Sequence, residues 1–571
     1  MTPNPAAPLS KNEVLKQNDP TLGGQLGETL ADPALACFSS DDEQFLKFHG
    51  IYQQDDRDLR KAGKQYIMMV RARISGGIIP SEQYLAFDDL SERYGNQSLR
   101  ITSRQSFQWH GVVKDNLGPL MKGLNDALCT TLAACGDVNR NVMAPATPAT
   151  SALVERVQED ARRVNDALLP QTGAYHSIWI DGEPLKLTAE EKQAFTDPLY
   201  GKQYLPRKFK IAFAIPPLND TDVYSNCLGL VAIADPADPS RPLGYNLLCG
   251  GGLGMSHNNP ATFPRIADVL GFFRAEQLVD VAKAVLTAYR DSGDRTNRKH
   301  ARLKYIIAER GADWFRHEVE ARAGFKLEPA RAFHFERQGD LFGWHRQTDG
   351  RWFLGLYVET GRIKDTPERQ LKTALRRIVT TFQTEVRLTP SQNLLLAGVA
   401  TDQKDAITAE LGAHGIPVEN QAGAIRRASM ACPSMPTCGL GLAESERALP
   451  GILTLIEGLL AELSLSAEEI IIRMTGCPNG CARPYLAEIG FVGRAPGKYS
   501  LYLGGNAGTT RLNQEYRASV KVDEIVPVLR PLLTRWKNDR TGGERLGDFC
   551  ARVIWPEQKI ALVTPATPAT N

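Results

Sequence analysis

Four of the ten cysteines in this 571-residue chain form two pairs, Cys432 with Cys438 and Cys477 with Cys481. Five residues separate the first pair and three the second. Paired thiolates call for a soft cation. Zinc is usually clipped by spacers of about two to four residues, so five and three favour a larger object, an iron-sulfur cubane. Both pairs sit in turns rich in glycine and proline, Cys432-Pro433 and Thr475-Gly476-Cys477-Pro478-Asn479-Gly480-Cys481. Such turns let backbone N–H groups approach cluster sulfides, one of the levers on reduction potential. The other six, Cys37, Cys129, Cys135, Cys227, Cys249 and Cys550, are scattered, which argues against a disulfide framework. Inert core thiols and a zinc or cluster site that only braces a scaffold stay open on spacing alone.

The second chemical signal is bunched positive charge. Lys and Arg outnumber Asp and Glu only slightly, for a net charge of +2, which gives no reason to expect nucleic acid or an anionic membrane. The cations instead gather in short motifs: RARISGG, RITSRQ, NRN, RKFK and NRKHARLKY. A run of this kind usually marks a solvated face. Lys208 and Lys210 alternate on what reads as a strand, so both point to one side. Gln108 and His110 do the same on theirs.

The Cys-x5-Cys pair followed by Thr-Gly-Cys-Pro-Asn-Gly-Cys-Ala-Arg-Pro-Tyr resembles the siroheme and [4Fe-4S] signature of the sulfite and nitrite reductase family. The likeness covers nearly the whole chain and is closest to the NADPH-type assimilatory branch. It implies that Cys432, Cys438, Cys477 and Cys481 ligate a [4Fe-4S] cubane, and that Cys481 also bridges to the siroheme iron. It implies a six-electron reduction of sulfite to sulfide in sulfur assimilation and cysteine biosynthesis. No flavin or nicotinamide site is evident in this sequence, so the electrons would come from a flavoprotein subunit that oxidises NADPH and carries FAD and FMN. Arg73, Arg140, Lys208 and Lys210 match the family's anion-binding and proton-supplying pocket. Siroheme is ringed by carboxylates, and burying those without cations is prohibitive. Arg100, Arg104, Arg207, Arg298, Lys299, Arg302, Lys304 and Arg483 are the candidates to meet them, arginine matching carboxylates bidentately. Gln108, His110 and Asn479 are candidates for the cofactor's surroundings. The rivals are a siroheme nitrite reductase forming ammonia, a ferredoxin-dependent sulfite reductase, and the non-catalytic scaffold. Ser75 and Cys249 depart from the family pattern, neither of them in a charged or ligating role.

These residues need elements to hold them. The length exceeds what one core serves, and 42% hydrophobic with 23% charged residues describes an ordinary globular protein. No apolar run is long enough to cross a bilayer and none is framed as a secretion signal, so a cytoplasmic location is expected. Residues 1 to about 40 read as a mobile arm, and 1–65 as an amino-terminal arm for flavoprotein docking. That region ends in FHGIYQQDDRDLR (Phe48 to Arg60), which resembles the NADPH-type branch. From Tyr66 the order is strand, Gly76-Gly77, helix near Ser81 to Tyr94, then the strand SLRITSRQSFQWHGV. The same order returns at WFLGLYVET, with a helix near Thr366 to Thr381 and the strand EVRLTPSQNLLLAGV. Arg100-Ile-Thr-Ser-Arg-Gln105 aligns with Arg387-Leu-Thr-Pro-Ser-Gln392. A second echo joins the strands and glycine turns of Leu243–Gly254 and Gly497–Gly508, whose glycines are expected to lie against a large ligand.

The expectation is an α+β, three-domain fold of the sulfite and nitrite reductase type with an internal pseudo-twofold repeat. Residues 66–134 and 336–418 would be halves of one small domain. Residues 135–335 would form the first siroheme-binding domain, and 419–571, ending in a low-complexity TPATPATN, the second with the cluster ligands.

Overall fold

Strands alternating with amphipathic helices give four main sheets, and these come as two related pairs. The computed structural model describes residues 7–148, 152–172, 179–180, 183–184 and 188–563; the TPATPATN tail lies outside them. The first five-stranded sheet runs β1 (Ile51–Asp55), β2 (Tyr66–Arg71), β5 (Phe107–Val112), β4 (Leu99–Ile101) and β14 (Arg362–Ile363). Its counterpart runs β12 (Gly343–Arg346), β13 (Trp352–Leu356), β16 (Leu394–Val399), β15 (Glu385–Leu388) and β3 (Ile78–Ile79). Each sheet is completed by a strand from the other half. Arg362 of β14 pairs with Arg100, and Ile78 of β3 pairs with Arg387, so the two arginines aligned in the sequence each receive the exchanged strand. One hydrophobic core, including Phe87, Trp109, Leu354, Leu375 and Leu396, serves both halves.

Two single strands were expected where two hairpins are found. Leu99–Ile101 and Phe107–Val112 pair antiparallel, as do Glu385–Leu388 and Leu394–Val399. The breaks fall at Gln105 and Gln392, both left-handed with φ of 53° and 72°. Each amide then grips one backbone unit through both its atoms. Gln105 accepts from Ala144 N–H (3.0 Å) and donates to the Ala144 carbonyl (2.8 Å). Gln392 accepts from Ala431 N–H (3.2 Å) and donates to the Ala431 carbonyl (2.8 Å). One glutamine therefore pins the segment carrying Arg140, and the other pins the strand leading into Cys432.

The other two main sheets, of four and five strands, each have parallel strands followed by antiparallel ones. In the first, β8 (Ile211–Ala214) lies parallel to β9 (Leu228–Ala234), followed by β10 (Pro242–Cys249) and β11 (Asp268–Arg274). In the second, β17 (Ser429–Ala431) and β18 (Ile472–Thr475) precede β19 (Ile489–Ala495), β20 (Lys498–Leu503) and β21 (Gln514–Lys521). A short hairpin, β6 (Trp179–Ile180) with β7 (Glu183–Pro184), completes the strands among the described residues. The glycine turns after β10 and β20 pack on protein rather than facing open space. A Cβ on Gly251 would lie 2.1 Å from the Tyr224 carbonyl, and one on Gly504 would lie 2.4 Å from the Trp555 ring.

The amino-terminal region corrects the reading of a mobile arm. Helices α1 (Lys11–Asn18), α2 (Leu26–Ala31) and α3 (Asp42–Phe48) are packed on the body. Leu22, Phe45 and Phe48 join the core that surrounds β8 to β10. The composition is polar and Leu9, Val14, Leu30 and Leu35 are exposed, but the burial of Leu22, Phe45 and Phe48, together with buried polar residues such as Glu13 and Lys16, holds the segment down.

Candidate active site

The four cysteines are brought together at the carboxyl ends of neighbouring parallel strands. Ala431 of β17 lies beside Met474 of β18, so Cys432 and the Gly476-Cys477 turn leave the sheet side by side. Gly476 N–H points at Cys432 Sγ (3.5 Å) and Asn479 Nδ2 at Cys477 Sγ (3.6 Å). All four thiols are free. Burial, then the neighbouring thiols, pushes the Cys432 and Cys477 thiols up, Cys477 to about 12. Four thiols crowded in this way, three of them (Cys432, Cys438 and Cys477) made harder to ionise by burial, suit a cation that takes them as thiolates.

The same loop is gripped from the other domains. Arg57 donates to the carbonyls of Cys438 and Gly441, both at 2.7 Å. Ser103 Oγ donates to the Cys481 carbonyl at 2.8 Å. Cys432 and Cys477 are buried and Cys438 half-buried, whereas Cys481 is exposed. It opens toward a recess walled by cations.

That recess is built where residues 139–143 run alongside the entry to β8. Asn139 bridges Phe209 and Met143 bridges Ala212, and Arg140 N–H donates to the Phe209 carbonyl at 3.0 Å. Arg140 is thereby set beside Lys208 and Lys210, which flank Phe209. Both lysines keep some accessible surface, yet both are held well below the usual lysine range. Burial is the first cause; Arg140 and Arg302 then act on Lys208, and Lys208 and Arg104 on Lys210, with Cys481 opposing the shift in both. Arg104 is pushed down to about 9 by burial and then by Arg483 and Arg140. The Nε atoms of Arg104 and Arg302 are buried without a hydrogen-bond partner. Arg104 donates its terminal nitrogens to Asn226 and to the carbonyls of Asn141 and Ile211, and Arg302 meets Cys227 Sγ at 3.4 Å; the cations gathered here still outnumber the thiols beside them and suit an anionic occupant. These residues fit a carboxylate-rich macrocycle with a small anion above it.

Several expected residues lie elsewhere. Arg73 does not face the recess: its guanidinium donates to the carbonyls of Ala133 (3.1 Å), Asn139 (2.8 Å) and Asn165 (3.1 Å). Arg71, two residues earlier on β2, points the other way, meeting Cys135 Sγ at 3.1 Å and standing over the Tyr52 ring. Gln108 lies against it, accepting at 2.6 Å when the amide oxygen faces the guanidinium. The motif RAR offers two arginines, and alternation could not choose between them, because β2 ends at Arg71 and the backbone turns there.

Arg100 is fully buried and spent on Glu446 (2.8 Å) and the Ala431 carbonyl (2.8 Å), with Arg362 on the same carboxylate. It braces the cysteine loop rather than a cofactor carboxylate. Lys304 donates to the carbonyls of Gly252, Gly254 and Phe263, fixing the turn that leans on Asn479. Arg298 is bidentate on Asp137, and Lys299 is exposed. His110 is buried with Nε2 unpartnered, facing a groove shared with Pro433, Met435 and Glu446, outside the recess.

Arg483 sits on the axis that relates the two copies. It donates to the carbonyls of Ser103 (2.7 Å) and Pro390 (2.9 Å), which occupy matching places in the aligned motifs. Its Nε meets Asp222, which also takes Arg473 at 2.7 Å. Asp222 and Arg483 themselves correspond. Each is left-handed and each opens a short 3-10 turn ahead of β9 or β19. Asp222→Asn is expected to cost about 3–5 kcal/mol, because two buried guanidiniums lose their counter-ion; the midpoint of denaturant unfolding measures it.

The match to known proteins follows this architecture. The nitrite and sulphite reductase 4Fe-4S domain matches residues 159–327 and 423–562, and the nitrite/sulfite reductase ferredoxin-like half domain matches 60–127 and 345–414. The chain belongs to the nitrite and sulfite reductase family. Among its relatives, a protein of Staphylococcus haemolyticus is 46% identical over 95% of both chains, and one of Geobacillus kaustophilus 44% identical over 99% of this chain and 98% of its own. A Myxococcus xanthus relative is 46% identical over 95% of this chain and 96% of its own. All three carry the name sulfite reductase [NADPH] hemoprotein beta-component. The solved structure of Mycobacterium tuberculosis NirA protein shares the fold, with a TM-score of 0.76 at 24% identity, over 96% of this chain and 97% of that one.

Proposed function

We propose that this chain is the haemoprotein component of an NADPH-dependent sulfite reductase, reducing sulfite to sulfide with six electrons. The observation that carries the reading is the buried cationic recess into which Cys481 opens, next to three further thiols. Siroheme and a [4Fe-4S] cluster would supply electron storage and a soft metal for the substrate sulfur. Cys432, Cys438, Cys477 and Cys481 would hold the cluster, with Cys481 shared. Arg104, Arg207 and Arg302 are the cations proposed to meet macrocycle carboxylates, Arg483 being committed to Asp222 and to the carbonyls of Ser103 and Pro390.

The chain's own residues then have defined work. Arg71, Arg140, Lys208 and Lys210 neutralise the oxygens of a bound oxyanion. Each oxygen that leaves as water must take up protons, and a lysine whose proton is loosened by burial and like charges is a better donor than an arginine. Arg140 and Arg71 orient the anion. Electrons would arrive from a flavoprotein subunit carrying FAD and FMN, in the cytoplasm. No helix among the described residues is long and apolar enough to cross a membrane.

Turnover of sulfite and nitrite with a reduced viologen dye, followed by addition of purified flavoprotein with NADPH or of ferredoxin, tests this. Sulfite is expected to give sulfide faster than nitrite gives ammonia, and NADPH with the flavoprotein to replace the dye. Preference for nitrite, or coupling to ferredoxin alone, would overturn the assignment. A colourless preparation would point to a structural zinc scaffold.

A further inference from the structure

Helix α1 sets a buried ammonium against Asp137, three residues before Arg140. Lys16, 2% exposed, donates to Glu13 Oε1 (2.6 Å) and the Leu205 carbonyl (2.8 Å) and stands 3.6 Å from Asp137 Oδ2. Glu13, 1% exposed, is held in turn by Arg295 at 2.5 Å. Asp137 binds Arg298 through both oxygens (2.7 and 3.1 Å) and lies 3.8 Å from Arg207. Asp137 stands three residues before Arg140, and Arg207 immediately precedes Lys208. A small pocket of about 10 Å3, room for one water, is lined by Asn12, Lys16, Gln44, Lys47, Asp137 and Arg298 among others.

Docking an eight-residue helix does not require this. Leu15 packs on the adjoining core, and a buried ion pair is weak support for stability in itself. The arrangement makes sense as a division of one negative charge. Asp137 is met from behind by Lys16 and from the side by Arg298, so Arg207 remains at the edge of ion-pairing distance and keeps its field for the recess. Without Lys16 the carboxylate would draw Arg207 inward, and both the charge and the shape of the anion pocket would change.

We propose that Lys16, presented by the amino-terminal helix, is a positioning residue of the anion pocket, acting through Asp137 on Arg207 and on the segment that carries Arg140. This rests on the reading of the recess as the sulfite site. It also makes α1 part of the catalytic body, separate from any role in binding a partner subunit.

The test uses the full-length holoenzyme with a viologen donor, comparing Lys16→Met and Lys16→Arg. Lys16→Met is expected to raise KM for sulfite about tenfold, the lower end of what losing a supporting partner costs at a ligand site. The kcat should change little, because binding is weakened equally in the ground and transition states. Lys16→Arg should restore most of it. In the cofactor-free chain, amide hydrogen exchange over residues 136–142 should quicken in Lys16→Met and not in Lys16→Arg. An unchanged KM would overturn the proposal, as would unaltered exchange over 136–142. Equal impairment of both variants together with a lowered Tm would also overturn it, since that is a packing defect. If Lys208→Ala depresses turnover while Lys16→Met does not, this inference alone fails; if neither has an effect, the sulfite pocket itself is misplaced.

Discussion

Replacing Cys481 by serine is expected to remove sulfite turnover by at least about 100-fold, beyond the loss typical of outer partners at a metal site. Cys481 is the one cluster candidate that is exposed, and it lies within electrostatic reach of both Lys208 and Lys210. Serine keeps the turn, since Ser103 grips the backbone carbonyl of residue 481 and not its side chain. The variant should therefore fold, and iron content and acid-labile sulfide should fall less than activity does. Normal turnover in this variant would remove the shared thiolate from the account.

Lys208→Ala is the second large effect. Removing a general acid or an electrostatic clamp costs about 10²–10³ in kcat, and Lys208 is placed to be both. The haem absorbance should persist, because Arg104, Arg207 and Arg302 still line the recess. Loss of the haem along with activity would reassign Lys208 to holding the cofactor. Lys210→Ala should act on the same steps, and the double variant should be no worse than about the more severe single one, since groups working as a unit are not additive. Measuring kcat and the absorption spectrum on the same preparations separates these outcomes.

The chemistry was more legible in the sequence than the packing. The cysteine spacing and its turn residues are local properties, so the thiols could be picked out before any fold was known. The repeat was visible in six aligned residues, and Gln105 and Gln392 fill equivalent roles down to the sign of φ. The sequence points to Arg73 in RARISGG, and only the end of β2 at Arg71 shows that Arg73 turns into backbone carbonyls. Arg100 and Lys304 were placed on the cofactor because charge alone does not reveal a committed partner; Glu446 is distant in sequence from Arg100, and backbone carbonyls leave no trace in it. The amino-terminal segment was read as mobile for a similar reason. A Glu13–Lys16 pair looks like surface until the body that buries it is known.

One pairing bears on how the chain came to be a single chain. Asp222 and Arg483 stand at matching places in the two copies and neutralise each other where the copies meet. Two identical halves brought together on that axis would set aspartate against aspartate, or arginine against arginine, in a dry interior. The contact, with Arg473 as a third member on Asp222, is one that two unlike halves make and two identical halves do not.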